Sequence, residues 1–236
     1  MDRLIREMVS IIIPVYNEEK ILAGQLQRLS AVTGSDTEVI AVDGGSTDRT
    51  ACIIEAYKNV TLFKSPRKGR AVQMNHGASF AKGEILLFLH ADAMLPAVWK
   101  SEIGRAMESG CVAGGFRIRC GGHEALGRRE RFFAYLSGIR SRYAKYMYGD
   151  QAIFVKKSAF ESVSGFPEIP IMEDYEFSRR ISGIGKIYYS RQVVDVSYRR
   201  FAHGVATAAA LMLTIPFMYR LGVPPDYLAG LYRDIR

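Results

Sequence analysis

The sequence predicts an α/β protein with a mostly parallel central sheet and a C-terminal helical segment. Three observations carry this. Short apolar runs of strand length alternate with helix-like segments through the first half of the 236 residues. The first run, VSIIIP, is apolar without alternation, as a strand buried on both faces must be. Carboxylates then close the runs: Asp43 ends EVIAVD, Asp92 ends ILLFLHAD, and Glu173 and Asp174 sit in GFPEIPIMED. In open parallel sheets the carboxyl edge of the strands is where ligands bind, so these acids mark a crevice there.

The elements follow in order. Residues 9–14 form the first strand. Asn17 can cap a helix over about 18–29, with Glu18 and Glu19 in its first turn, where the helix dipole favours acids. Residues 38–43 form the second strand, Gly44 and Gly45 the turn, and Ser46 or Thr47 caps a helix reaching about residue 57. Residues 60–64 and 85–89 are strands, 69–81 a helix, and a further helix spans about 97–109 after Pro96. Right-handed crossovers between these strands give a parallel sheet. The pattern then changes. Residues 112–118 read as a strand, 126–137 as a helix, and 140–148 as a loop rich in Tyr and Arg. Residues 152–155 are a strand and 157–163 a helix. Another helix starts near Asp174, and 187–189 and 193–196 are two short strands. With no repeat and no Gly/Ser-rich linker, the chain is one domain. About 1–110 form a donor half, 111–198 an acceptor and catalytic half, and 199–236 the C-terminal helices.

Composition sets outer bounds. Hydrophobic residues at 48% support a sizeable core, and 32 Lys and Arg against 24 Asp and Glu give a net charge of +8, which favours anionic partners. The three cysteines, Cys52, Cys111 and Cys120, lack CxxC spacing, which argues against a disulfide framework or a zinc site. The N-terminal apolar run has no small-residue cleavage site and reads as a strand, so a cytoplasmic location is the expectation. The apolar stretch 205–219 is shorter than the ~20 residues a spanning helix needs. It reads as a helix packed on the body, the alternative being weak peripheral contact with a membrane.

Turn chemistry excludes several functions. PVYNEEK follows the first strand where a dinucleotide fold carries GxGxxG, and GxxxxGK[ST], GxSxG and HExxH are absent. PVYNEE after strand one, VDGGSTDRT after strand two, GEILLFLHAD and MEDYEFSRR together resemble a family 2 glycosyltransferase of the GT-A fold, over nearly the whole chain. KGRAVQMNHGA, LHAD, YGDQAIFV and GFPEIPIMED are similar to the branch identified with arsenosugar biosynthesis.

The resemblance implies a metal-dependent, inverting transfer from a nucleotide-diphosphate sugar, UDP- or GDP-linked, to a hydroxyl on a small-molecule or lipid-linked acceptor. It implies no nucleic-acid partner and is compatible with a homodimer. Pro14, Tyr16 and Glu18 would line the nucleoside pocket, and Asp43 would accept hydrogen bonds from base or ribose. Glu18 read alone is equally a helix-start charge, and Asp43 an Asx-turn residue. Arg70, after Lys68 and Gly69, would meet phosphate oxygens, although Lys68 reads better as a solvated loop residue. In LHAD, Ala91 and Asp92 fall where the donor and its metal, Mg²⁺ or Mn²⁺, are held. His90 replaces the usual first Asp; as a ligand it would favour Mn²⁺. Asp174, with Glu173, matches the general-base motif; its bland alternative is a helix cap. Asp150 and Gln151 would touch the acceptor. Arg199 and Arg200 would clamp the leaving diphosphate, and His203 would join the metal or simply start a helix. A retaining transferase and a sugar-phosphate nucleotidylyltransferase are the alternatives, the latter lacking its glycine-rich basic signature here.

Overall fold

The computed structural model describes residues 7–121, 145–197 and 205–233, with isolated positions between 127 and 142. Strands β1 (Val9–Val15), β2 (Thr37–Asp43), β3 (Val60–Lys64) and β4 (Ile85–Phe88) form a parallel block. Helices α1 (Leu22–Val32), α2 (Thr50–Glu55) and α3 (Arg70–Phe80) connect them. The short strand β5 (Ala93–Met94) and helix α4 (Trp99–Glu108) lead to β6 (Cys111–Cys120). A one-turn helix at Gly149–Gln151 precedes β7 (Ile153–Lys156), then α5 (Lys157–Ser162), α6 (Glu173–Ser182) and β8 (Lys186–Val196). Helices α7 (Val205–Arg220) and α8 (Pro225–Arg233) close the chain. The sheet order is β3-β2-β1-β4-β7-β6-β8-β5. Only the pairings of β7 with β4 and β6, and of β5 with β8, are antiparallel. This is the expected mostly parallel sheet.

The two faces of β1 explain its unbroken apolar sequence. Ile11 and Ile13 pack with Leu22, Leu26, Trp99 and Ile103 of α1 and α4. Ile12, pointing the other way, packs with Met74 of α3 and with Phe88, Phe160 and Phe177. On that face Gly77 lets α3 approach closely, since a Cβ there would lie 2.6 Å from Ile12 Cγ2 and 2.9 Å from Val42 Cγ2.

Three expectations are corrected. The caps assigned to α1 and α2 do not cap their own helices. Asn17 has a φ of 53° and its Oδ1 accepts from Thr47 N at 2.8 Å, while Asn17 N donates to Ser46 Oγ at 3.0 Å. Glu18 N donates to Thr50 Oγ1 at 2.8 Å and Arg49 N to Glu19 Oε2 at 3.1 Å. The two loops at the carboxyl edge thus satisfy each other, and α1 starts at Leu22 and α2 at Thr50. Residues 187–189 and 193–196 belong to one strand, β8. Its polar middle lies where the register shifts between Gly115 and Arg117, and Ser190 there donates to Glu102 Oε2 at 2.5 Å. A bulge was therefore readable as a gap. The two-residue strand β5 carried no sequence signal. Of the helix expected at 126–137, residues 128, 131, 134 and 135 are described and helical; of the loop expected at 140–148, residue 142 is helical and residues 145–148 are irregular.

Candidate active site at the carboxyl edge of the sheet

Asp43 is the last residue of β2 and is buried. Its Oδ1 and Oδ2 accept from Ser46 N at 3.0 and 3.2 Å, and Ser46 Oγ donates to Oδ1 at 2.5 Å. The turn geometry expected as the alternative is therefore present. A carboxylate has about four acceptor positions, so room for ligand donors remains. Gln73 of α3, which sequence reading missed, braces the same edge: its Nε2 donates to Val15 O and Val42 O, both at 2.8 Å. Its signal was an amide one turn from Gly77, on the face of α3 that meets the sheet. Pro14 and Glu18 are half-buried beside this edge, and Tyr16 is 39% exposed with Lys68 Nζ 3.9 Å above its ring.

Leu89 continues β4 by donating to Ile12 O at 2.9 Å, and His90, Ala91 and Asp92 follow it, all buried. Asp92 O accepts from Ser197 N at 3.2 Å, which ties this segment to the end of β8. Opposite it, Asp174 lies in the first turn of α6 and is 7% exposed. Gly149 N donates to its Oδ2 at 2.6 Å and Tyr175 N to its Oδ1 at 2.7 Å. Gly149 brings the two segments together: a Cβ on it would lie 2.9 Å from His90 Nε2 and 3.2 Å from Asp174 Oδ2. Segments 84 residues apart in sequence, at His90 and Asp174, thus meet at one glycine, a contact no local pattern announces.

Glu173, next to Asp174, is 1% exposed and paired with Arg70 at the start of α3. Burial pushes the Glu173 carboxyl above its ordinary value, and the Arg70 guanidinium opposes that. For Arg70, burial favours losing the proton, but Glu173 and Asp174 together outweigh it and hold it above its ordinary value. Arg70 keeps a third of its side chain exposed. Gln151 uses both ends of its amide: Oε1 accepts from Tyr148 N at 2.8 Å, and Nε2 donates to Phe116 O at 3.1 Å. Asp150, half-buried beside it, is the member of that pair placed nearer solvent. Met172, just before Glu173, holds a left-handed φ of 68° while buried against Tyr175, Ile215 and Leu228. Arg199, Arg200 and His203 lie outside the described residues.

Crossed parallel strands with acids at their carboxyl edge, facing a helix that starts with two more, define a ligand crevice of the doubly wound kind. Residues 10–166 match the family model for glycosyl transferase family 2, and the chain belongs to that family of enzymes. Glycosyltransferase GlyG of Streptococcus pneumoniae is 34% identical over 91 residues, 36% of this chain and 30% of that protein. Glycosyltransferase AglE of Haloferax volcanii is 32% identical over 215 residues, 84% of this chain and 65% of that one. The matches span about a third of the length of the first curated relatives. Among solved structures, the mannosyltransferase PcManGT from Pyrobaculum calidifontis, in complex with GDP-Man and Mn²⁺, aligns with a TM-score of 0.71. That alignment has 21% identity over 97% of this chain and 69% of that one. S. aureus TarS 1–349 in complex with UDP aligns with a TM-score of 0.64 and 19% identity, over 86% of this chain and 64% of that one. These two likenesses establish the GT-A architecture.

Proposed function

We propose that this protein transfers a sugar from a nucleotide-diphosphate donor to an acceptor hydroxyl, with inversion at the anomeric carbon. The observation that carries the reading is the meeting of Asp174, Gly149 and His90 beside Asp92. It sets a carboxylate able to take a proton against the strand end where the donor would sit. Asp174 accepts the acceptor's hydroxyl proton as that oxygen attacks the anomeric carbon and the bond to the diphosphate breaks. The two backbone N–H groups on Asp174 fix its direction. Glu173 acts through Arg70, holding the guanidinium toward the donor phosphates; Arg199 and Arg200 would clamp the leaving diphosphate. Pro14, Tyr16, Glu18 and Asp43 take the nucleoside, and Asp150 the acceptor. The motif likeness supports an acceptor of the arsenosugar kind.

The residues fit a divalent cation of one type. Among the described residues, no group of three His, Cys, Asp or Glu side chains is placed to hold a metal. A single buried carboxylate, Asp92, with His90 two residues before it, suits Mg²⁺ or Mn²⁺ taking most of its ligands from diphosphate and water. Such a cation, when bound, neutralises charge that develops on the leaving diphosphate. PcManGT in complex with GDP-Man and Mn²⁺, and TarS in complex with UDP, support the choice of donors to test.

Titration calorimetry with UDP-GlcNAc and GDP-Man, in Mn²⁺ and in EDTA, tests the reading. One donor should bind in Mn²⁺ and lose about tenfold or more in affinity in EDTA or in Asp92→Ala. Equal affinity with and without EDTA would remove the metal assignment. NMR of the product's anomeric proton separates inversion from retention.

A further inference from the structure

Three strand ends lie side by side at the carboxyl edge of the sheet, in the order β3-β2-β1. Lys64 ends β3 paired with Asp43, which ends β2 paired with Val15, the last residue of β1. Tyr16 follows Val15. Lys68, in the loop after β3, sets its Nζ 3.9 Å from the centroid of the Tyr16 ring. The contact joins the loops after the two outer strands and so crosses the end of β2, where Asp43 lies. The root of the Lys68 loop is fixed. Ser65 N donates to Asp43 O at 2.8 Å, and Ser65 Oγ donates to Arg67 O at 2.7 Å. Gly69, with a φ of 139°, then turns the chain into α3. What is left to move is the Lys68 side chain, which is exposed and carried on a flexible four-carbon stem.

The other basic residues of this loop are committed. Arg67 pairs with Glu168 and Arg70 with Glu173. Lys68 makes no ion pair among the described residues, and its ammonium rests on the Tyr16 ring instead. A ring face attracts a cation through its quadrupole, and the attraction is small where water reaches both partners, as it does here. Stacking of a nucleobase on an aromatic ring is the stronger of the two contacts. A base arriving at Tyr16 therefore displaces the ammonium and is not kept out by it. The freed charge stands two residues from Arg70, and the phosphates attached to that base are an anion it can meet.

We propose that Lys68 covers the nucleoside pocket while it is empty and becomes a ligand to the donor diphosphate once it is filled. The base takes its place on Tyr16, and the displaced ammonium meets phosphate oxygens beside Arg70. The proposal rests on the reading that Tyr16 and Asp43 receive the nucleoside. It makes base and diphosphate binding two halves of one exchange, so a nucleoside alone gains the stacking but strands the ammonium. Titration calorimetry of the full chain in Mn²⁺ compares uridine with UDP and guanosine with GDP, and the pair that binds is carried to the variants. Lys68→Ala should bind the nucleoside about two- to fivefold more tightly, because an exposed cation–π contact no longer competes for the ring. It should bind the diphosphate about tenfold more weakly, through loss of one charge-assisted contact. A merely solvated lysine would not move the two affinities in opposite directions. Lys64→Ala removes an exposed charge from the end of β3 and should bring no gain in nucleoside affinity. The proposal is overturned if Lys68→Ala shows no gain for the nucleoside up to low millimolar concentration, no loss for the diphosphate, or only the gain that Lys64→Ala also shows. If neither diphosphate binds the parent, in Mn²⁺ or in EDTA, the donor reading itself fails. A diphosphate that binds the parent and Lys68→Ala alike defeats the role of Lys68 and leaves the donor reading standing.

Discussion

At the scale of residues, the chemistry concentrates on a contact that Gly149 makes room for. Asp174→Asn keeps the shape and the hydrogen bond from Gly149 N to the side-chain oxygen, but an amide cannot take the acceptor proton. It should lower kcat by ~10²–10⁴ with donor affinity retained. Near-normal turnover would reduce Asp174 to a residue that only orders the start of α6. Gly149→Ala tests the geometry from the other side. Its new methyl would crowd His90 Nε2 and Asp174 Oδ2 at 2.9 and 3.2 Å, so one of the two must move. A displacement of that kind costs up to about a hundredfold in turnover. Steady-state kinetics beside a thermal melt is the measurement. A large loss of kcat at nearly unchanged Tm is expected, whereas unchanged kcat would mean the two side chains do not act together.

At the scale of elements, the parallel block was legible because β1, β2 and β4 carry continuous buried apolar runs whose two faces join different core clusters. The strand-end acids were legible for the same reason: a polar residue after such a run must stand at an edge. The cross-loop bonds of Asn17, Ser46 and Thr50 were not, since each partner lies about thirty residues away and either loop alone looks like an ordinary helix cap. Gln73 and Glu102 were likewise hidden, one a buried brace for two strand ends, the other a buried acceptor for Ser190. On α6 the local pattern does predict energetics. Glu176 is 12% exposed and bonded to Arg179 at 2.8 Å and Arg180 at 3.1 Å. The Arg179 hydrogen bond leads in holding its carboxyl below the ordinary value of 4.5, against burial. A lowered folded value means the stabilisation is present above 4.5 and lost as pH falls through the folded value. Urea unfolding should therefore show Glu176→Gln losing roughly 0.5–1 kcal/mol at pH 7 and converging with the parent in acid. A constant difference across the pH range would exclude the pairing as its cause.

At the scale of the whole molecule, the C-terminal helices are joined to the site through α6. Among the described residues no helix is long and apolar enough to cross a membrane. Instead Ile215 of α7 and Leu228 of α8 are buried against Met172 and Tyr175, the residues flanking Glu173 and Asp174. Arg220 adds a 2.7 Å bond to Tyr175 Oη. Met172 carries a left-handed backbone that costs on the order of 1–3 kcal/mol and persists only where packing enforces it. The apolar stretch thus contributes a clamp on the start of α6, while Phe217, Leu221 and Tyr227 of the C-terminal segment are exposed. Leu228→Ala removes a fully buried side chain from this clamp. If α7 and α8 unfold with the sheet, the variant should lose roughly 2–4 kcal/mol of global stability in a single transition. Relaxation of Met172 should also reduce kcat, because it displaces the first turn of α6, which carries Asp174. A melt with an early minor transition and an unchanged main one would show instead that α8 detaches on its own. Unchanged kcat alongside it would show that the aim of Asp174 is set within α6 and the Gly149 turn alone.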